Sequence, residues 1–213
     1  KIYNPLNYAW DVHKAYIEKY CKMGVSQLIL GLNPGPYGMG QTGVPFGATN
    51  IVRDYLKLTD FFVDTPNDPH PSRKVQGLTF QRQEISGTRL WNGLAELVGE
   101  ANVVHTHLFV VNHCPLLFME ESGKNITPDK LSGPTSERLL EICDSHLIEI
   151  INILKLSTII AVGRFAEARA KLISSLIENN ILIKYLLHPS PQVPASNKDG
   201  GKYWLELLKN ALF

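Results

Sequence analysis

Four short runs of the chain are almost continuously apolar: Leu28–Leu32, Leu108–Val111, Thr158–Val162 and Lys184–Leu187. Runs of this length without apolar–polar alternation are expected of parallel strands buried on both faces. Between them the apolar positions recur every three or four residues, the period of a helix with one buried face. That spacing predicts helices over Ala9–Lys22, Thr49–Leu58, Thr88–Val98, Ser136–Leu154, Arg164–Glu178 and Tyr203–Leu212. Strand alternating with helix predicts a layered α/β domain with right-handed crossovers. No internal repeat or linker divides the chain, so residues 1–213 are expected to form one domain. Asp64–Lys74, polar and proline-rich, reads as a long surface loop.

Each strand run ends in polar or glycine punctuation: Asn33-Pro34, Asn112-His113-Cys114-Pro115, Gly163-Arg164-Phe165 and His188-Pro189-Ser190-Pro191. Open parallel sheets bind ligands at the carboxyl ends of their strands, so three separate loops are expected to deliver Asn33, Asn112 and His188 to one rim. The first of these loops is unusual. Residues 30–47, LGLNPGPYGMGQTGVPFG, hold six glycines and three prolines. Glycine lets main chain approach a ligand or take positive φ, and proline stiffens what lies between. This loop carries no phosphate-binding G-x-x-x-x-G-K-[ST], and its glycine spacing lacks the dinucleotide pattern with its acidic partner.

Composition narrows the classes. The chain is 44% hydrophobic and 19% charged, enough for a full core, with a net charge of +1. So balanced a charge leaves no broad polyanion-binding surface; contact with nucleic acid would need a local patch helped by backbone amides. No run of eighteen apolar residues is present to span a membrane. No secretory signal opens the chain, whose first residue is Lys rather than Met, leaving a processed or truncated start open; the scarcity of cysteine makes a reduced intracellular compartment the expectation. Cys21, Cys114 and Cys143 are too few and too scattered for a disulfide framework or a cysteine-rich metal site. Cys114 beside His113 lacks the local signature of a nucleophile. Taken singly, Asn33 and Asn112 read as turn residues, His188 as a strand-end histidine and Phe46 as a core aromatic. Their joint order is what carries information.

The stretches GLNPGPYGMGQTGVPFG, QGLTFQRQEISGTRLW, VVNHCPLLFMEESGKNITP, VGRFAEARAK and HPSPQVPASNK resemble successive blocks of the single-strand-selective monofunctional uracil-DNA glycosylases. The resemblance runs from about Tyr16 to the C-terminus. It implies a three-layer α/β/α sandwich with a central, mostly parallel four-stranded sheet. It further implies hydrolysis of the N-glycosidic bond of uracil in DNA as a step of base-excision repair. No metal and no cofactor are implied. The implied partner is DNA, single-stranded and to a lesser degree double-stranded, met by a monomer in the nucleoid of a bacterium or the nucleus of a eukaryote.

Residue by residue, Asn112 matches the asparagine that reads uracil, its carbonyl oxygen accepting from N3–H and its NH₂ donating to O4. Phe46 matches the aromatic stacked on the flipped base. His188 matches the donor toward O2 as the base leaves, and Asn33 matches the residue that positions the attacking water. Gly35 stands where uracil-only relatives carry a tyrosine against the base's 5-position, so 5-hydroxymethyluracil is an implied substrate; Met39 and the backbone near Gly38 line that side. Ser190 corresponds to a phosphate-pinching residue, Gln192–Lys198 to the wedge that enters a duplex, and Lys198 to a phosphate contact. Many relatives carry arginine where Gln192 stands, a departure that fits a divergent bacterial branch with weaker duplex activity. Arg89 and Trp91 are expected to pack rather than to bind DNA. Two rival functions remain open on sequence: a non-catalytic nucleic-acid-binding module and a hydrolase of free nucleotides.

Overall fold

The computed structural model describes residues 1–178 and 180–213. Its strands are β1 Ile2–Tyr3, β2 Gln27–Gly31, β3 Leu108–Asn112, β4 Leu117–Met119, β5 Asn125–Ile126, β6 Thr158–Val162 and β7 Leu182–Leu186. Its α-helices are α1 Pro5–Tyr8, α2 Trp10–Tyr20, α3 Met39–Thr42, α4 Ile85–Leu97, α5 Ala101–His107, α6 Pro134–Leu154, α7 Arg164–Ser174 and α8 Lys202–Leu212. The four expected strand runs form one sheet in the order β3-β2-β6-β7, every pair parallel. Leu28, Ile29 and Leu30 of β2 are fully buried, as a central strand covered on both faces requires. Each contributes about 1.5–3 kcal/mol relative to exposure, which makes β2 a stiff mount for the glycine-rich loop at its end.

The parallel pairs require crossover connections, and these carry the helices. The connection from β2 to β3 runs through α4 and α5, and α4 packs against α5 and α8. The connections from β3 to β6 and from β6 to β7 run in the other direction along the sheet, and their helices α6 and α7 pack together. The chain thus leaves β2 and β6 in opposite directions along the sheet, the kind of switch point at whose strand ends open parallel sheets form a crevice. The long helix α6 buries Cys143, Leu147, Ile151 and Leu154, one stripe at helical spacing.

The structure corrects several expected boundaries. The helix expected over Thr49–Leu58 forms only over 49–55: Thr49 and Asn50 are α-helical, and Ile51–Tyr55 continues as a π turn closed by Leu56 N–H donating to Ile51 O at 2.8 Å. Tyr20 Oη donates to the Leu56 carbonyl at 2.6 Å, and Lys57 turns left-handed with φ 54°, ending the helix. Helix α4 starts three residues earlier than expected because the Glu84 side chain caps it, accepting from Gly87 N–H. Helix α7 stops at Ser174 rather than Glu178: Ser175 Oγ donates to Leu172 O at 2.6 Å and diverts the last turn. A second sheet, antiparallel in the order β1-β4-β5, lies outside the expected elements, as does α5. Asp64–Lys74 lacks regular structure as expected. It is nevertheless pinned, with His70 buried and its N–H donating to Tyr3 Oη at 2.6 Å.

Candidate active site

A cavity of about 400 Å³ opens at the carboxyl ends of β2, β3 and β7. Asn33, Gly35, Met39, Phe46, Asn112, His188, Ser190 and Gln192 all line it. Eight of the nine expected site residues thus meet in one place. Lys198 does not: it lies in the irregular segment before α8, with Nζ 5.2 Å from the Tyr203 ring centroid. The kink at Asp199 and Gly200, both at positive φ, ends the segment short of the cavity.

The β2–β3 ladder brings the two asparagines together. Gly31 pairs with Asn112, and the ladder continues as His113 N–H donates to Gly31 O and Cys114 N–H to Leu32 O, each at 2.9 Å. Asn33 Nδ2 donates to Leu116 O at 3.2 Å and to Pro34 O at 3.4 Å. With the nitrogen so committed, Oδ1 is the atom available to the cavity. Asn112 Nδ2 lies 3.3 Å from Met39 Sδ, a weak acceptor that marks the donor end of this amide.

Gly31 lies beneath Asn112 and Phe46. A Cβ there would lie 2.2 Å from Asn112 Oδ1 and 2.6 Å from Phe46 Cε2, so both side chains rest on bare backbone. Phe46 itself holds φ 54°, a left-handed conformation that costs a non-glycine residue about 1–2 kcal/mol. Its neighbours over-determine it. Thr42 Oγ1 donates to Gly47 O at 2.8 Å, Ala48 N–H donates to Phe46 O at 2.9 Å, and the first turn of α4 presses on the same carbonyl. At Gly87 a Cβ would fall 1.9 Å from Phe46 O, so only glycine fits. Backbone strain held this firmly beside a cavity is characteristic of ligand clamps.

His188 stands opposite, its ring centroid 6.4 Å from that of Phe46. Ser190 N–H donates to His188 Nδ1 at 3.2 Å, which leaves the ring's proton on Nε2. Burial pushes the imidazole below its ordinary pKa, so at neutral pH this is an uncharged donor. Arg89 holds the loop in place. Its Nη1 donates to Pro189 O, Ser196 O and Ser196 Oγ at 3.1, 3.0 and 2.8 Å, and its Nη2 donates to Asn197 Oδ1 at 3.0 Å. The expectation that Arg89 packs is met, and its packing partner is the His188 loop; Trp91 is fully buried. Ser190 Oγ accepts from Gln192 N–H at 3.2 Å, and Gln192 is exposed at the cavity mouth.

Three features lie outside the expected set. Glu84 lies on the cavity wall with its Cγ 3.8 Å from a Cβ built at Gly35. Desolvation raises its carboxyl above the usual range, although the Gly87 amide opposes this. The clue in the sequence is QEISG, a capping residue three positions before a glycine, but capping alone says nothing of a cavity. Tyr37 and Arg82 also line the mouth. Behind Asn112, His113 Nε2 lies 2.7 Å from Asp144 Oδ1, and Arg169 grips both oxygens of the same carboxylate. Cys114 is fully buried away from the cavity, which ends the nucleophile reading.

Comparison with known sequences settles the relationship. The profile of the uracil DNA glycosylase superfamily matches residues 18–211. The chain belongs to the uracil DNA glycosylase superfamily. It is 44% identical over 197 residues to the single-strand selective monofunctional uracil-DNA glycosylase of Rattus norvegicus, covering 92% of this chain and 70% of the relative. The corresponding Bos taurus protein is also 44% identical, with 72% of its length covered. The crystal structure of wild-type Pedobacter heparinus SMUG2 has the same fold, with a TM-score of 0.69 at 18% identity over 99% of this chain and 87% of that one. The three-layer α/β/α sandwich with its four-stranded parallel sheet is thus the fold of the superfamily. None of the described helices is long and apolar enough to cross a membrane.

Proposed function

We propose that the chain hydrolyses the N-glycosidic bond of uracil in DNA, favouring single strands and leaving an abasic site. The observation that carries this reading is the meeting of Asn33, Phe46, Asn112 and His188 in one cavity with complementary hydrogen-bonding roles. The target nucleotide leaves its stack, at a cost of a few kcal/mol that is least in single strands. Its base lies on Phe46, a contact worth about 1–3 kcal/mol. Asn112 Oδ1 accepts from N3–H and Nδ2 donates to O4, whereas cytosine reverses both polarities. Asn33 Oδ1 then holds a water against C1′. An amide is no general base, so this residue orients; the bond to N1 is largely broken before the water adds, and the proton the water then sheds goes to solvent. As N1–C1′ breaks, the electron pair leaves with the base, and His188 Nε2–H donates to O2 where the negative charge collects. A donor so placed is worth about 10²–10³ in rate.

Further parts of the reading rest on particular neighbours. Gly35 leaves space beside the base's 5-position, supporting 5-hydroxymethyluracil as a second substrate. Among the described residues lining the cavity there is no lysine, which supports simple hydrolysis without a covalent imine. Ser190 and Gln192 at the mouth fit contact with the flanking phosphate and the vacated stack, and glutamine fills that stack less well than arginine. The reading includes a monomer acting on DNA inside the cell.

The decisive assay incubates the protein with a single-stranded oligonucleotide holding one uracil, or with free deoxyuridine nucleotides, and then applies hot alkali. Strand cleavage at the uracil position supports the glycosylase. Binding without cleavage would mean a non-catalytic module, and release of base from monomers alone would mean a nucleotide hydrolase.

A further inference from the structure

A second groove, of about 220 Å³, runs from the cavity mouth, and Pro36 and Tyr37 line both. Ser190, Pro191 and Gln192 do not line it, so it leads away from the side of the cavity they occupy. Two features give it a chemistry. The first is aromatic: the Tyr37 and Phe80 rings lie within 6° of parallel with centroids 5.9 Å apart, both half-buried. The Arg82 guanidinium sits 4.0 Å from the Tyr37 centroid and donates to Tyr37 Oη. The second is charge. Arg73 and Lys74 line the groove and Arg82 stands at its junction with the cavity. Among the described residues none of the three is in an ion pair, and no Asp or Glu lines the groove.

The groove is also built rather than incidental. Gln41, buried, donates through Nε2 to Pro36 O at 3.0 Å and Lys74 O at 3.1 Å, and its Oε1 accepts from Gln76 N–H at 2.8 Å. One side chain thus staples the two walls together. Arg73 Nε donates to Gly123 O at 2.7 Å, which fixes the stem while leaving the positive charge without a counter-ion.

A flat aromatic pair flanked by unpaired cations, continuous with a base-sized cavity, is complementary to an unpaired strand. Arg82 and Arg73 both lie over the Tyr37 ring, at 4.0 and 5.4 Å from its centroid, so Tyr37 anchors the cations and Phe80 is the ring left to stack. We propose that this groove holds the single-stranded DNA on one side of the flipped nucleotide, with a flanking base stacked on Phe80 and phosphates met by Arg73, Lys74 and Arg82. The identity of the strand rests on the uracil-excision reading. The groove would supply a reason for single-strand preference, because a base still paired in a duplex cannot turn its face to that ring.

The test uses Phe80→Ala, Phe80→Trp and Lys74→Ala, which change the groove and not the cavity, each checked for an unchanged thermal midpoint. Anisotropy titration with a fluorescent, undamaged oligothymidylate measures the groove without catalysis. Phe80→Ala should weaken binding about fivefold or more, and Phe80→Trp should restore it. Lys74→Ala should reduce the slope of log K against log salt by about 0.7. A second arm measures uracil excision on oligonucleotides shortened from the 5′ or the 3′ flank. The parent's KM should rise on removing one flank only, and Phe80→Ala should be insensitive to removal of that same flank. Parental binding by Phe80→Ala, or a penalty that ignores which flank is removed, would overturn the proposal. If the parent releases no uracil while the oligothymidylate contrast stands, the reaction assignment falls and the groove survives.

Discussion

Replacing Gly31 by alanine adds one methyl group beneath the Asn112 and Phe46 side chains, with little backbone cost, because Gly31 lies in strand β2 and not at positive φ. The added Cβ would lie 2.2 Å from Asn112 Oδ1 and 2.6 Å from Phe46 Cε2, where ordinary contact begins near 3.4 Å. Asn112 must therefore retreat by about 1 Å, and Phe46 by nearly as much, at an overpacking cost of about 1–3 kcal/mol. Phe46 has little freedom to comply, since Thr42, Ala48 and Gly87 already hold its backbone. A 1 Å misplacement of a positioning group costs about 10²-fold. Single-turnover excision from a uracil-containing single strand should thus fall by about two orders of magnitude in Gly31→Ala. A cycle with Asn112→Ala separates this from general damage: the double variant should lose far less than the product of the single losses. Excision within twofold of the parent, with the thermal midpoint preserved, would refute the close-approach account of Gly31.

The same geometry sets four further outcomes. His188→Ala should lower the single-turnover rate by about 10²-fold or more with little loss of binding, because its interaction strengthens as the base departs; equal rates would remove it from the reaction. Asn33→Ala should slow excision whereas Asn33→Asp keeps or raises it by presenting a carboxylate to the water, and two variants indistinguishable from the parent would place the water elsewhere. Gly35→Tyr should suppress release of 5-hydroxymethyluracil more than that of uracil, and an equal loss on both bases would mean that Gly35 does not face the 5-position. Acid should destabilise the fold through His105, stacked on Tyr20 and Trp91, with a pKa lowered by burial to about 4. The unfolded chain binds its proton near pH 6.5 and the folded chain does not, so stability present above that pH is lost on the way down, about 2 kcal/mol by pH 5. His105→Phe should flatten the fall in thermal midpoint between pH 7 and 5; an unchanged slope would assign it to other groups.

The parallel sheet is legible because buried strands declare themselves as unbroken apolar runs, and β6 is expected at Thr158–Val162, where it lies. β1, β4 and β5 are two or three residues long and carry no periodicity, so the small sheet, entered just after the Leu116 carbonyl that holds Asn33, is not legible. The π turn at Ile51–Tyr55 answers to a tertiary demand, the Tyr20 hydroxyl on the Leu56 carbonyl, which local pattern does not contain. At the site, the strand-end rule alone brings Asn33, Asn112 and His188 to one rim. How they are held is invisible in the sequence. Gly31 reads as one more apolar-run residue, yet it is the surface on which the Asn112 and Phe46 side chains rest. Glu84 and Arg89 reach the site from the start of α4, a helix with its own amphipathic explanation, so nothing in their spacing points inward.

In the proposed reaction Asn33 and His188 divide the work between them, the first holding the water and the second the leaving base. Mass spectrometry of a single-stranded uracil oligonucleotide, comparing the parent with Asn33→Ala/His188→Ala, tests it most directly. The parent should release free uracil and leave an intact backbone lighter by the lost base and heavier by the added water. The double variant should bind the oligonucleotide with nearly the parent's affinity and release almost no uracil. Rapid release by the double variant, or an intact oligonucleotide after prolonged incubation with the parent, would contradict the account.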